Sequence, residues 1–358
     1  MEKIKVLHIL KSSIYSGAEN VVCTIISNMP DNFECLYMSA KGQIEYKLNE
    51  LAIPHVCVDV VDVLAIREMI ISFAPDIIHA HDFSASFMAA RAVGNAQAPN
   101  LGGRVRVVCH FHNNWPWCKK INPKTIAFKM VSKNIDRILV VSSSVKDEFV
   151  FKKVFKDAVV VGNPFDKDKV VQQATRVPDG VDESAIGDYD VILLGRLTQQ
   201  KQPIAFIDMI DSLRYQKEDI KAVVVGAGEL YDDCIIKTKQ LGLDNNIEFT
   251  GFVENPYLYL KKSKVCMMPS AWEGFGLVAL EAMSLGKPVV ATAVGGLKDI
   301  VTQECGLVCT GFSEMMDEAM KLLTDEEYYD LKSGAAVLRA QEYSNINNYI
   351  DIIVKNYR

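Results

Sequence analysis

KVCMMPSAWEGFGLVALEAMSLGKPVVATAVGG, residues 264–296, decides the fold. It reads as a strand (KVCMMP), a glycine-bearing loop (SAWEGFG), an apolar helix and a second strand (KPVVATA) that stops at two more glycines. Strands that are apolar throughout are buried on both faces, as in a parallel sheet covered by helices. Within this unit Glu273 stands in front of Gly-Phe-Gly, and Glu281 sits inside the apolar helix. A carboxylate there costs free energy unless something compensates it, so Glu281 lies either on an exposed helix face or toward a ligand. Glu273 alone has an ordinary explanation, an acid favoured by the positive end of the helix dipole.

The strand–helix alternation runs the length of the chain. KIKVLHIL, FECLYMSA, HVCVDV, DIIHAH, RVRVVCHF, DRILVVSS and AVVVGNP are candidate strands in the first half. YDVILLGR, KAVVVGAG, NIEFTGF, KVCMMPS, KPVVATAV and GLVC follow in the second, with amphipathic stretches such as AENVVCTIISNM between them. This pattern predicts an α/β chain with two consecutive doubly wound domains, and 358 residues suit two cores. The polar, proline-containing stretch 164–188, which lacks periodicity, is the expected boundary, and residues 338–358 read as one amphipathic helix. Nine scattered cysteines, none in a C-x-x-C pair, fit reduced core thiols. No apolar run reaches the ~20 residues of a membrane span, and MEKIKVLHIL reads as a first strand without a cleavage pattern after it. Residues 1–165 carry a net charge of +4 and the remainder −10, so the two halves face different surroundings.

In open α/β sheets ligands bind beyond the carboxyl ends of the strands. In the second half that rule selects GRLTQQKQP, GAGEL, GFVENP, SAWEGFG and VGG. Most carry a glycine that admits close backbone approach, and one carries Arg196 and Lys201. Together these loops could hold a diphosphate, with Gly274–Leu277 donating N–H groups from a helix N-terminus. VVVGAGEL is not a dinucleotide fingerprint, because Tyr231 stands where the third glycine belongs and no acid follows at the ribose position.

These loops, with SGAENVV, PDIIHAHD, VVCHFHN and VVVGNPFD in the first half, resemble the retaining GT-B glycosyltransferases of family four, the glycosyl-transferases group 1 family. Glu273 and Glu281 match its E-x7-E signature. The resemblance implies two Rossmann-like domains facing each other across a cleft: residues 1–168 for the acceptor, 169–340 for the nucleotide-sugar, and 341–358 as a helix returning to the first. It implies that Glu281 accepts from ribose hydroxyls and that Glu273 holds hydroxyls of the transferred sugar. Gly274, Phe275, Gly276 and Leu277 would offer backbone amides, and Arg196 and Lys201 would neutralise the leaving diphosphate. Gly226, Phe252 and Val253 would border the nucleotide, Gly17 would close over the phosphates, and His112 would approach the donor sugar. The catalytic set is then Glu273, His112, Arg196 and Lys201, with no cofactor and no metal. The implied reaction moves a sugar, from a UDP-sugar by expectation, to a glycan or lipid-linked acceptor of bacterial cell-surface polysaccharide. The alternatives are a GT-B sugar-nucleotide epimerase or a catalytically inactive partner subunit.

Three further features of the sequence bear on metal and partners. His79-x-His81 and His110-x-His112 could each share one strand face as metal ligands, but no cluster completes a site except through Asp82, so none is expected. The D-x-D strings at Asp166/Asp168 and Asp188/Asp190 fall around the linker, away from the loops. Residues 115–137 combine two tryptophans with Lys119, Lys120, Lys124, Lys129, Lys133 and Arg137, and their first acid is Asp136, which suits peripheral contact with an anionic membrane as well as a lysine-coated outer helix face. A net acidic chain argues against nucleic acid. The expected location is the cytoplasm, at the inner face of the plasma membrane where such contact is made.

Overall fold

A computed structural model describes residues 2–178, 180 and 182–357, in two compact units. The chain passes from the first to the second at Pro164–Phe165 and returns at Asn345–Ile346. These crossings lie a few residues from the expected 168 and 340 breaks.

The first unit holds a seven-stranded sheet in the order β3-β2-β1-β4-β5-β6-β7, with every pairing parallel. Its strands are β1 (Ile4–Ile9), β2 (Phe33–Ala40), β3 (His55–Val58), β4 (Ile77–His81), β5 (Arg106–Phe111), β6 (Arg137–Val140) and β7 (Val159–Val160). The central strand IIHAH is buried at every position. Parallel neighbours need crossovers, and the first is the helix Gly17–Ser27. Its start is fixed by Ser16, whose backbone N–H donates to Glu19 Oε2 at 3.0 Å in a capping box.

The second unit holds a six-stranded sheet in the order β10-β9-β8-β11-β12-β13, again parallel throughout. The strands are β8 (Tyr189–Leu194), β9 (Ala222–Val225), β10 (Ile247–Gly251), β11 (Ser263–Met268), β12 (Val289–Thr292) and β13 (Gly306–Cys309). Its core joins Val191, Val224, Val265 and Val290 from the sheet to Phe206, Ile210 and Met315 from covering helices. The order reverses between β8 and β11, the switch point beyond whose carboxyl ends doubly wound sheets place their ligands. The loops that begin there carry Arg196, Lys201 and Glu273.

Two expectations are corrected. The stretch 164–188 is not aperiodic: Asp166 caps a helix Lys167–Gln173 through Oδ1 to Lys169 N at 3.0 Å. The terminal helix is not continuous over 338–358. One helix ends at Tyr343, Ser344 and Asn345 break the path, and a second spans Ile346–Tyr357. That last helix packs in the first unit, its Tyr349, Ile350, Ile353 and Tyr357 joining Val6, Ile25 and Leu139. All nine cysteines are free thiols. Among the described residues no helix is long and apolar enough to cross a membrane.

Candidate active site

Three strand-end loops of the second unit are laced together by backbone. Ala271 N donates to Gln200 O at 2.8 Å, and Gln200 Nε2 to Trp272 O at 3.1 Å, joining the loop after β8 to that after β11. Gly296 N donates to Gly274 O at 3.0 Å, joining the loop after β12. The glycines serve these approaches. At Gly295 (φ +53°) a Cβ would stand 1.7 Å from Glu273 O, and at Gly226 (φ +136°) 2.0 Å from Gly195 O. Sequence reasoning gave such glycines to ligand approach; the structure spends these two on loop-to-loop packing.

On this platform Lys201 Nζ meets Glu273 Oε2 at 2.6 Å, with the two side chains only 17% and 12% exposed. Ser270 Oγ lies 3.4 Å from the same carboxylate oxygen. A charged pair this enclosed is a stronger electrostatic element than a surface bridge, since little water screens it. Glu273 also stands just before the helix Leu277–Ser284, at its positive end. The backbone of Gly274 and Gly276 is buried, and Gly276 adopts φ +105° as the residue preceding that helix. Leu277, its first residue, is half-buried. Phe275 turns inward, its ring 6.0 Å from Tyr343 at 66°, so any part it takes at the surface is through its backbone.

Glu281 falls one turn further along the same helix. Its side chain is half-buried, and Tyr257 Oη donates to Oε1 at 3.1 Å. Burial raises its carboxyl above the ordinary glutamate value, while the Tyr257 hydrogen bond and the Lys201 charge pull the other way. Burial, then the Glu281 charge, holds the Tyr257 phenol well above its usual range. Lys201 therefore stands within the field of both glutamates. This is the constellation that the spacing of Glu273 and Glu281 left open: neither residue is a plain solvated acid.

The other expected residues are placed unevenly. Arg196 is exposed, and among the described residues its side chain makes no ion pair or hydrogen bond. Phe252 is 84% exposed and Val253 half-buried at the end of β10, two strands from β8, or about 10 Å across the sheet. Gly17 and His112 belong to the first unit. Gly17 is exposed as the first residue of its helix, with nothing within 4 Å of a Cβ placed on it. His112 follows β5, and burial lowers its imidazole to about 4. Its backbone N–H donates to Asp82 Oδ1 at 2.9 Å. Asp82 itself has φ +61°, a left-handed conformation held at the carboxyl end of β4, and burial pushes its carboxyl up to about 7.

Tyr257, Ser270 and Gln200 were not singled out from the sequence, and Asp82 was named there only as a conceivable metal ligand, not for its hydrogen bond to His112. Tyr257 follows the loop GFVENP closely enough to be suspected, but only the packing of Tyr257–Lys261 against Leu277–Ser284 brings its hydroxyl to Glu281. The D-x-D strings have structural work. Asp166 is a cap, Asp190 pairs with Lys217 at 3.2 Å, and Asp188 with Lys262 at 3.5 Å.

Comparison with known proteins supplies the family. Residues 16–169 match the model of Glycosyltransferase Family 4, and residues 182–335 that of Glycosyl transferases group 1. An uncharacterized glycosyltransferase of Methanocaldococcus jannaschii is 37% identical over 116 residues, 32% of this chain and 30% of that protein. A Campylobacter jejuni N-acetylgalactosaminyltransferase, whose name gives a diphospho-undecaprenol acceptor, is 26% identical over 195 residues, 53% of this chain and 51% of that protein. The chain thus spans about half or less of these relatives' own lengths. The crystal structure of Anabaena HepE in complex with UDP-glucose superposes with a TM-score of 0.80 at 20% identity, over 98% of both chains. With two family matches that between them cover most of both units, two parallel sheets wound alike and a superposition over nearly the whole chain, this protein belongs to the group 1 glycosyltransferases of family 4 type and has their two-domain Rossmann-like GT-B fold.

Proposed function

We propose that the protein is a retaining glycosyltransferase that moves a sugar from a UDP-sugar to a glycan or lipid-linked acceptor in cell-surface polysaccharide assembly. One observation carries the reading: an enclosed Lys201–Glu273 pair at the sheet's switch point, with Glu281 on the helix that begins beside it. Support for the donor comes from structural relatives bound to UDP and to UDP-glucose. Support for the acceptor class comes from the diphospho-undecaprenol relative.

Breaking an anomeric bond develops positive charge on the sugar and negative charge on the departing diphosphate. Lys201 and Arg196 are the fixed and mobile cations for that diphosphate, and the amides at Gly274–Leu277 add dipoles already oriented toward it. Glu273, held by Lys201, takes the sugar hydroxyls. Glu281 accepts from the ribose hydroxyls, and Phe252 offers a bare aromatic face beside Val253 to the base. Gly226, packed against Gly195, borders the nucleotide from the loop after β9. Gly17 and His112, on the first unit, carry the phosphate and sugar roles that the family pattern gives them. The transfer needs no metal, because these groups meet the charge, and it retains configuration through a front-face path in which the leaving phosphate helps deprotonate the acceptor.

The same reading places the protein at the inner face of the cytoplasmic membrane. Ile121, Ile126 and Met130 are exposed beside Lys120, Lys124 and Lys129, a surface of apolar contacts ringed by cations. Trp117 packs inward, its ring 4.7 Å from Phe83, so the aliphatic residues make the contact.

A panel of UDP-, GDP- and ADP-sugars tests the donor reading by thermal unfolding. One nucleotide class should raise the midpoint in a saturable way and be hydrolysed slowly without acceptor. If no member of the panel shifts the midpoint, the function proposed here is wrong.

A further inference from the structure

Both H-x-H pairs left over from the sequence fold into one column. His8 pairs in register with His79, and His81 with His110, on the adjacent strands β1, β4 and β5. Side chains two apart share a strand face, so these rings stack with His112 on one side of the sheet. Ring centroids are 4.2 Å apart for His79–His81, 5.3 Å for His81–His112 and 4.2 Å for His110–His112. At the carboxyl end of the column His81 Nδ1 and His112 Nε2 are 3.0 Å apart. His110 has no exposed surface and no hydrogen-bond partner for either ring nitrogen. One nitrogen from each of His81, His110 and His112 lies within 4.8 Å of the others.

We propose that His81, His110 and His112 bind a divalent transition-metal ion of the zinc class, with a fourth position open beside His112. Two imidazole nitrogens on one tetrahedral zinc stand about 3.3 Å apart, close to the His81–His112 separation, and a tilt of His110 completes the set. Outer groups are in place to hold the rings. His81 Nε2 faces His8 Nδ1 at 3.2 Å, Asn163 flanks His112, and Asp82 Oδ1 fixes the His112 backbone. An all-imidazole set selects zinc, cobalt, nickel or copper over magnesium or calcium. His112, the least buried of the three, provides the path of entry.

The site lies within the first unit and shares only His112 with the proposed transfer, which needs no metal. Its test is independent of that reading, because His110 has no part in donor binding. The competing arrangement is metal-free, with N–H···N bonds along His8, His81 and His112.

The full-length chain, stripped of metal, is titrated with Co2+ while the visible d–d bands of tetrahedral cobalt are followed, and Zn2+ is then added as competitor. The expected result is one Co2+ per chain, displaced by Zn2+. Affinity should fall about 100-fold in His110→Ala and stay unchanged in His55→Ala, a histidine outside the column. Far-UV dichroism checks that His110→Ala is folded. If it is not, the imidazole 15N shifts of the wild type decide, since zinc must move those of all three rings. Absence of stoichiometric cobalt bands, equal binding by folded His110→Ala, or unmoved 15N shifts on adding zinc would overturn the proposal.

Discussion

Lys201 holds Glu273 in place and, under the proposed function, also faces the leaving diphosphate. The two roles separate by mutation. Lys201→Ala leaves the enclosed Glu273 carboxylate without its cation, which should cost roughly 1–3 kcal/mol of stability as well as lowering kcat about 100-fold. The pair Lys201→Met with Glu273→Gln removes both charges. Denaturant unfolding should show most of the lost stability restored, while turnover stays low; recovery of turnover would show that the pair is only structural. Glu281 poses the opposite case. Burial raises its carboxyl above the ordinary value of 4.5, so the folded state holds a proton more tightly than the unfolded state does. The charged form is therefore destabilising above the raised value, and that penalty fades as pH falls toward 4.5 and below. Glu281→Gln should stabilise the apo chain at pH 7 to 8 and lose that advantage near pH 4, as read by unfolding across pH. The same variant should bind nucleotide about tenfold more weakly, since the amide is a poorer acceptor for ribose hydroxyls than a carboxylate. A gain in stability at acid pH instead would refute the assigned burial.

At the scale of elements, the loops hold their positions through glycines whose need is steric. Gly295→Ala would drive a methyl to 1.7 Å from Glu273 O, and Gly226→Ala to 2.0 Å from Gly195 O. Each should destabilise the chain by about 2–4 kcal/mol in denaturant unfolding, with Gly295→Ala the more damaging to turnover because it displaces Glu273. Gly17→Ala meets no neighbour, so it should leave stability nearly unchanged; any loss of donor binding then reports on the phosphate role directly. The strand–loop–helix–strand order of 264–296 and the loops carrying Lys201 and Glu273 were legible in the sequence, because apolar strands and glycine punctuation are local signals. The helix Lys167–Gln173 inside the polar boundary was not, since its stability comes from an Asp166 cap and packing on neighbours rather than from a long apolar period. The break at Ser344–Asn345 was hidden for a related reason: the apolar residues resume beyond it. The histidine column was half visible. Two H-x-H pairs stand in the sequence, but strand register, a non-local property, brings His8 and joins the two pairs.

The molecule as a whole is two doubly wound units with one chain excursion between them. The first unit is completed only by the last helix, whose Ile353 and Tyr357 are buried against strands from the first half. Tyr357 also reaches His79 Nδ1 through its hydroxyl at 2.7 Å, and its carbonyl accepts from Arg106 Nη1 at 2.6 Å. Ile353→Ala should lower the stability of this unit by about 2–5 kcal/mol, leaving nucleotide protection of the second unit in place; calorimetry with and without nucleotide separates the two transitions. The choice of sugar rests on side chains and loop backbone rather than on winding order. The central claim is that the Lys201, Glu273 and Glu281 constellation is the nucleotide-sugar site. Calorimetric titration of the wild type and of Glu281→Ala with UDP, GDP, ADP and their sugars tests it most directly. One nucleotide class should bind at a single site per chain, and Glu281→Ala should weaken it at least about tenfold; binding of none, or equal binding by the variant, would contradict the account.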